Sequence, residues 1–152
     1  QAVAARLHCG RSSNRNPLGV PMALINFRTS RFDVAAEAPN PINPIPGRSV
    51  LQWLRAGLST SGYVTTEPET EDWGWYVTVE AEDMTYMVGA SGEVDGKSKD
   101  VDWVVQVHKH RSLKDKLFGR NKLAADDALV KQIEQLIRAD GQASTVTIDR
   151  DA

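Results

Sequence analysis

Between Trp73 and Val107 the chain alternates apolar and polar residues with a period of two, three times over. Trp73, Trp75, Val77 and Val79 interleave with Gly74, Tyr76, Thr78 and Glu80. Met84, Tyr86 and Val88 resume the pattern after Ala81-Glu82-Asp83, and Val101, Trp103, Val105 and Val107 interleave with Asp102, Val104, Gln106 and His108. Strand side chains point alternately to the two faces of a sheet, so each run buries one face. The first two runs read as a β-hairpin and the third as the next strand of a meander, with Gly89 to Lys99 as the intervening loop. Strands clustered in this way, rather than alternating with helices, argue for an α+β fold with an antiparallel sheet.

The rest of the chain is read around that meander. Leu24 to Val34 is a candidate strand whose parity switches between Ile25/Phe27 and Phe32/Val34, which predicts a bulge or break near Ser30. Four prolines between Pro39 and Pro46 forbid a helix and point to an extended surface connection. Val50, Leu51, Leu54 and Leu58 form one stripe of a helix over about Arg48 to Ser59, widened by Trp53. Ser112-Leu-Lys-Asp115 resembles a capping box opening a short helix to Phe118, stopped by Gly119. Leu129, Ile133, Leu136 and Ile137 predict a helix from Asp126 to Ala139, with Gly141 at its C′ position. Thr145 to Ile148 is a short last strand. The expected order is β-α-β-β-β-α-α-β, a sheet of about five strands with the helices on one face, in one domain over residues 22–152.

Residues 1–21 are expected to be a disordered tail or leader segment. They hold Arg6, Arg11 and Arg15, no acid, and a Ser-Asn-Arg-Asn-Pro stretch, so they bury too little to offset their ordering entropy. They share an arginine-rich, acid-free character with organelle transit segments, but the longest apolar run, Ala2 to Ala5, is far short of a secretory core. The one cysteine, Cys9, lies there and has no disulfide partner in the chain. No run of ten apolar residues occurs, so no membrane partner is expected and the setting is taken as cytoplasmic.

Charge is segregated beneath a formal total of −2. Residues 62–96 carry nine acids and no Lys or Arg, and residues 97–122 carry eight bases against three acids. Glu67, Glu69, Glu71 and Asp72 stand beside Tyr76, and Gly74 leaves the neighbourhood of that ring open. This combination points to a contact for a basic protein partner, as in a binding or immunity-type regulatory module. Internal pairing of the same acids with Lys109, Arg111 or Lys114 is the competing expectation.

Other classes find weaker footing. His108 and His110 lie two apart and so share a strand face, as in a metal-assisted enzyme, but Asp102 is too distant to be the third ligand. The basic segment 97–122 could meet phosphate or nucleic acid, though no reader motif accompanies it. No Gly-x-Ser-x-Gly elbow or P-loop occurs, so neither catalytic residues nor a cofactor are expected and the sequence leans away from an enzyme.

Pro41-Ile-Asn-Pro-Ile45, Leu51-x-Trp53-Leu54, Glu71-Asp-Trp-Gly-Trp-Tyr76, Trp103-Val-Val-x-Val107 and His110-Arg-Ser-Leu113 together resemble a small bacterial family of proteins of unknown function. The likeness covers residues 40–113 and implies a bacterial, single-domain protein. It implies no activity, cofactor or catalytic residue.

Deleting residues 1–21 should therefore leave the thermal midpoint within about 4 °C of the full chain, the shift that about 1 kcal/mol would cause. A calorimetric melt of both proteins checks this.

Overall fold

The computed structural model describes residues 22–124 and 126–150; the expected tail over 1–21, with Cys9, lies outside the described residues. The elements run β1 (Met22–Thr29), α1 (Arg48–Thr60), β2 (Val64–Thr65), β3 (Glu69–Glu71), β4 (Gly74–Ala81), β5 (Met84–Glu93), β6 (Val101–Lys109), α2 (Leu113–Phe118), α3 (Ala128–Ala139) and β7 (Ser144–Asp149). The sheet order is β2-β4-β5-β6-β1-β7, with β3 also paired to β4, and each pairing is antiparallel. The fold is α+β around the expected meander.

The sheet has seven strands rather than about five. β2 and β3 are two and three residues long, too short for alternation to show in the sequence. β5 also runs on to Glu93, through the segment read as a loop. Its glycines look like breakers, yet they make room for rings. A Cβ at Gly89 would lie 2.5 Å from the Trp73 ring, and one at Gly92 would lie 2.6 Å from that of Trp103. β1 ends at Thr29, so of the bulge or break expected near Ser30 it is the break that occurs, and the strand is shorter than Leu24 to Val34. Phe32 and Val34 pack on the core from the following loop, with Phe32 edge-on to Trp53 at 5.7 Å and to Trp103 at 5.8 Å.

One sheet face forms the core. Ala23, Ile25 and Phe27 of β1, Trp75, Val77 and Val79 of β4, Tyr86, Val88 and Ala90 of β5, and Val101, Trp103, Val105 and Val107 of β6 are all buried. α1 covers them with Val50, Leu51, Leu54 and Leu58, and α3 with Leu129, Val130, Ile133 and Ile137. The two helices meet at Gly57, where a Cβ would lie 2.8 Å from Leu136.

The α1 N-terminus is capped from a distance. Its N-cap, Gly47, has no side chain to offer, and a Cβ there would lie 2.3 Å from the Ala90 carbonyl oxygen. Glu37, ten residues earlier, takes over. Its Oε1 accepts from the Gly47 and Arg48 N–H groups at 2.6 Å each, and its Oε2 from the Ser49 N–H at 3.2 Å and hydroxyl at 2.7 Å. An anion suits the positive end of a helix dipole.

α3 is capped conventionally, yet it is also tied to the sheet. Asp127 Oδ1 accepts from the Leu129 and Val130 N–H groups, while its Oδ2 accepts from the Tyr86 hydroxyl at 2.9 Å. Lys109 Nζ lies 3.9 Å from the same carboxylate and over the Tyr86 ring. Burial, then the Asp127 carboxylate, holds the Tyr86 phenol well above the ordinary range. At the other end of α3, Asp140 is the C-cap, extended and donating its N–H to Ile137, so Gly141 takes the expected C′ position, without a positive φ.

α2 buries none of its residues. It is nonetheless fully capped: the Asp115 N–H donates to Ser112 Oγ at 3.1 Å and the Ser112 N–H to Asp115 Oδ2 at 3.2 Å. Left-handed Gly119 ends it. Arg111 donates to the Arg120 and Asp115 carbonyls at 3.0 Å each.

Replacing Glu37 by Ala strips four hydrogen bonds to a charged acceptor and should lower stability by about 2–3 kcal/mol. Urea unfolding should show a lower midpoint at unchanged slope.

Candidate functional site: an acid-rimmed cleft on the sheet face opposite the helices

Residues alternating with the core ones make a second sheet face. It carries Leu24 and Asn26 of β1, Tyr76 and Thr78 of β4, Met87, Gly89 and Ser91 of β5, and Val104, Gln106 and His108 of β6. Trp73 belongs to this face too, which corrects its expected place beside Trp75 in the core. The cause is Gly74, whose φ of 149° is a conformation that L side chains rarely adopt. That residue reverses the parity, and the Trp73 ring lies on Gly89 close to Gln106.

A cleft of about 760 Å³ opens on this face, lined by Leu24, Asn26, Ile45, Trp73, Ser91 and Val104, with Glu93 and Asp102 at its rim. The Pro-rich loop builds one wall and is anchored by asparagines, so it is more than an extended surface connection. Buried Asn40 donates to the Glu71 and Gly74 carbonyls at 2.9 Å each and accepts from the Ile42 and Asn43 N–H groups. Asn43 donates to the Asp72 carbonyl at 2.8 Å. The Gly92 N–H donates to the Pro46 carbonyl, so the loop takes over as the neighbour of β5 where β4 has ended. These polar anchors set the β3–β4 turn against the cleft wall.

The acids singled out from sequence fall into different roles. Glu67 pairs with Arg55 of α1 at 3.0 Å. Glu69 accepts a short hydrogen bond from the Tyr76 hydroxyl, which holds that phenol above its ordinary pKa. Asp72 is exposed in the β3–β4 turn and Glu71 is half-buried. Among the described residues no ion pair joins these four to Lys109, Arg111 or Lys114; of the four, Glu67 pairs with a cation, Arg55.

Sequence reading missed a second group of acids at the same end of the sheet. Arg28 of β1 faces Asp102 at 2.9 Å, Asp100 at 3.7 Å and Asp95 at 3.9 Å, and Glu93 is the cross-strand neighbour of Asp102. The Lys97 and Ser98 N–H groups hold the Asp95 carboxyl below its usual range. One guanidinium thus serves three carboxylates, with Lys97 and Lys99 on the adjoining loop. The signal for this cluster was the pairing of β1 with β6, which no local spacing reveals.

The basic window of residues 97–122 is divided. Lys97 and Lys99 precede β6, whereas Lys109 and the bases after it lie at the far end of that strand, roughly 25–30 Å away at about 3.3 Å per residue. The two histidines also differ. His108 is half-buried, its Nε2 3.4 Å from Gln106 Oε1, and burial pushes its pKa down. His110 is exposed beyond the strand end. Among the described residues no group of three His, Cys, Asp or Glu is placed to hold a metal ion.

Comparison with protein-family models, with curated proteins and with solved structures finds no match for this chain.

The lowered pKa of His108 has a consequence for stability. The unfolded chain takes up the proton first as pH falls, so the stability due to neutral His108 is complete above the ordinary value of about 6.5 and is lost as pH falls through the folded-state value. Melting between about pH 7.5 and 5.5 should show a smaller drop for His108→Gln than for the parent protein.

Proposed function

We propose that the protein is a small binding or regulatory module, of the immunity type, whose acidic sheet end receives a basic protein partner. The observation that carries this reading is the cleft on the helix-free face, lined by the Trp73 indole, Leu24, Ile45 and Val104 together with Asn26, Ser91 and Thr145, with Glu93 and Arg28-paired Asp102 among its acids. Apolar centres with charged surrounds are the anatomy of recognition surfaces, the centre giving affinity and the charges giving encounter rate. Glu69, Glu71, Asp72 and Tyr76 extend the surface along the neighbouring hairpin, and Glu67 sits at its margin against Arg55. A cytoplasmic bacterial setting, in keeping with the resemblance of residues 40–113, belongs to the same reading. Binding rather than catalysis is the role it assigns.

An arginine-rich peptide carrying one phenylalanine is a direct probe. It should change the tryptophan fluorescence saturably, through Trp73, and the response should weaken as salt rises. Trp73→Phe should abolish the signal. Converting Glu69 and Glu71 to Gln and Asp72 to Asn should slow association about tenfold or more while leaving the melting temperature unchanged, because steering acts on encounter and not on the fold. An absent response, or one indifferent to salt and to these changes, overturns the proposal.

A further inference from the structure

We infer that α2 is a docking ridge for an anionic lipid surface, separate from the acidic cleft at the other end of the strands. Leu113, Leu117 and Phe118 are 85%, 79% and 63% exposed, three of the six large apolar side chains exposed among the described residues, all within one six-residue helix. Lys114, Lys116, Arg120 and Lys122 surround them and are exposed as well. Arg120 stacks over the Phe118 ring at 5.2 Å.

A helix this short has no stability of its own and α2 gains none from burial. Its shape comes instead from the reciprocal cap of Ser112 and Asp115, from left-handed Gly119, and from Arg111 on the carbonyls of Asp115 and Arg120. The ridge is therefore pre-shaped, with apolar side chains outward and with its chain ends satisfied by its own side chains. A segment entering a dehydrated interface needs that, because unpaired backbone groups are costly there. Asp115, the one acid between Lys109 and Lys122, is engaged by Asn121 and by the Ser112 cap, which hold its carboxyl below the usual range. Glu82 and Asp83 on the β4–β5 turn and Asp126 and Asp127 before α3 lie outside the helix, and Asp127 is buried and engaged by the α3 cap, Tyr86 and Lys109.

A convex ridge of this make-up has no groove to receive a peptide, and it spans too few turns to fill a partner's groove with the i, i+4, i+7 anchors such docking uses. A bilayer sets no such demand: leucines and phenylalanine enter the headgroup boundary while Lys and Arg meet lipid phosphates. Among the described residues no helix is long and apolar enough to cross a membrane, so α2 would lie on the surface.

The full chain is tested by flotation with vesicles of phosphatidylglycerol and phosphatidylcholine in equal parts, and with vesicles of phosphatidylcholine alone. It should float with the anionic vesicles only, less so as salt rises. Changing Leu113, Leu117 and Phe118 together to Ser should reduce the bound fraction by about tenfold or more at an unchanged melting temperature, as should Lys114→Gln with Lys116→Gln and Arg120→Gln. Arg6, Arg11 and Arg15 are common to all these proteins, so the differences read α2. Phe118→Trp supplies a second readout, a blue-shifted emission on anionic vesicles relative to the parent chain. Failure to float, or flotation unchanged in the serine variant, overturns the inference. So would duplex DNA retaining the parent and serine variants equally in place of vesicles, or a sedimenting dimer that the serine variant loses.

Discussion

The Glu37 carboxylate at the start of α1 sets the connection on which the cleft wall depends. By accepting from Gly47, Arg48 and Ser49 it closes the connection between the first strand and the first helix from ten residues away. Asn40 and Asn43, held between those anchors, meet the β3–β4 turn through its carbonyls. Pro46 then bonds to β5 and Gly47 packs on the Ala90 carbonyl. A loop with four prolines has few free backbone donors, so side-chain amides and one carboxylate supply the polar pairing that a sheet or helix would otherwise give. The cleft wall is a product of that arrangement.

The fold also sorts charge along the strand direction. Antiparallel pairing brings Glu71, Asp72, Glu93 and Asp102 to one end of the sheet and carries Lys109 and the α2 bases to the other. Blocks that lie side by side in sequence are each cut in two, 62–96 by the β4–β5 hairpin and 97–122 by the length of β6. Each end nevertheless holds both signs: Arg28, Lys97 and Lys99 stand with the acids of one, and Glu82 and Asp83 on the β4–β5 turn stand toward the bases of the other. At a screening length of about 8–10 Å in physiological salt, charges at one end of the strands are largely screened from the other.

How far the sequence speaks depends on whether a signal is local. Trp75 to Val79, Tyr86 to Val88 and Val101 to Val107 announce themselves by alternation, and α1 and α3 by their stripes, because periodicity is a property of neighbours in the chain. The Ser112–Asp115 cap was legible for the same reason. Trp73 misled because one glycine with a positive φ reverses parity without changing the pattern of residue types. Glu37, Asn40 and the Arg28 cluster act across 10, 31 and 74 residues, and no spacing rule reports such contacts. Of the candidate site, the acids beside Tyr76 were visible, whereas the cleft they adjoin required the order of the strands.

Asp127 divides its two oxygens between a local task and a distant one, and this bears on how the molecule opens. One oxygen caps α3; the other holds the hydroxyl of Tyr86, 41 residues away on β5. If α3 peeled away alone, a buried phenol would be left without its acceptor, and Lys109 would lose its carboxylate as well. The helix therefore has no cheap way to fray from its first turn while β5 stays in place. Opening of the α3 first turn is thereby coupled to β5, and the lost Tyr86–Asp127 bond adds about 1–3 kcal/mol to the cost of its fraying.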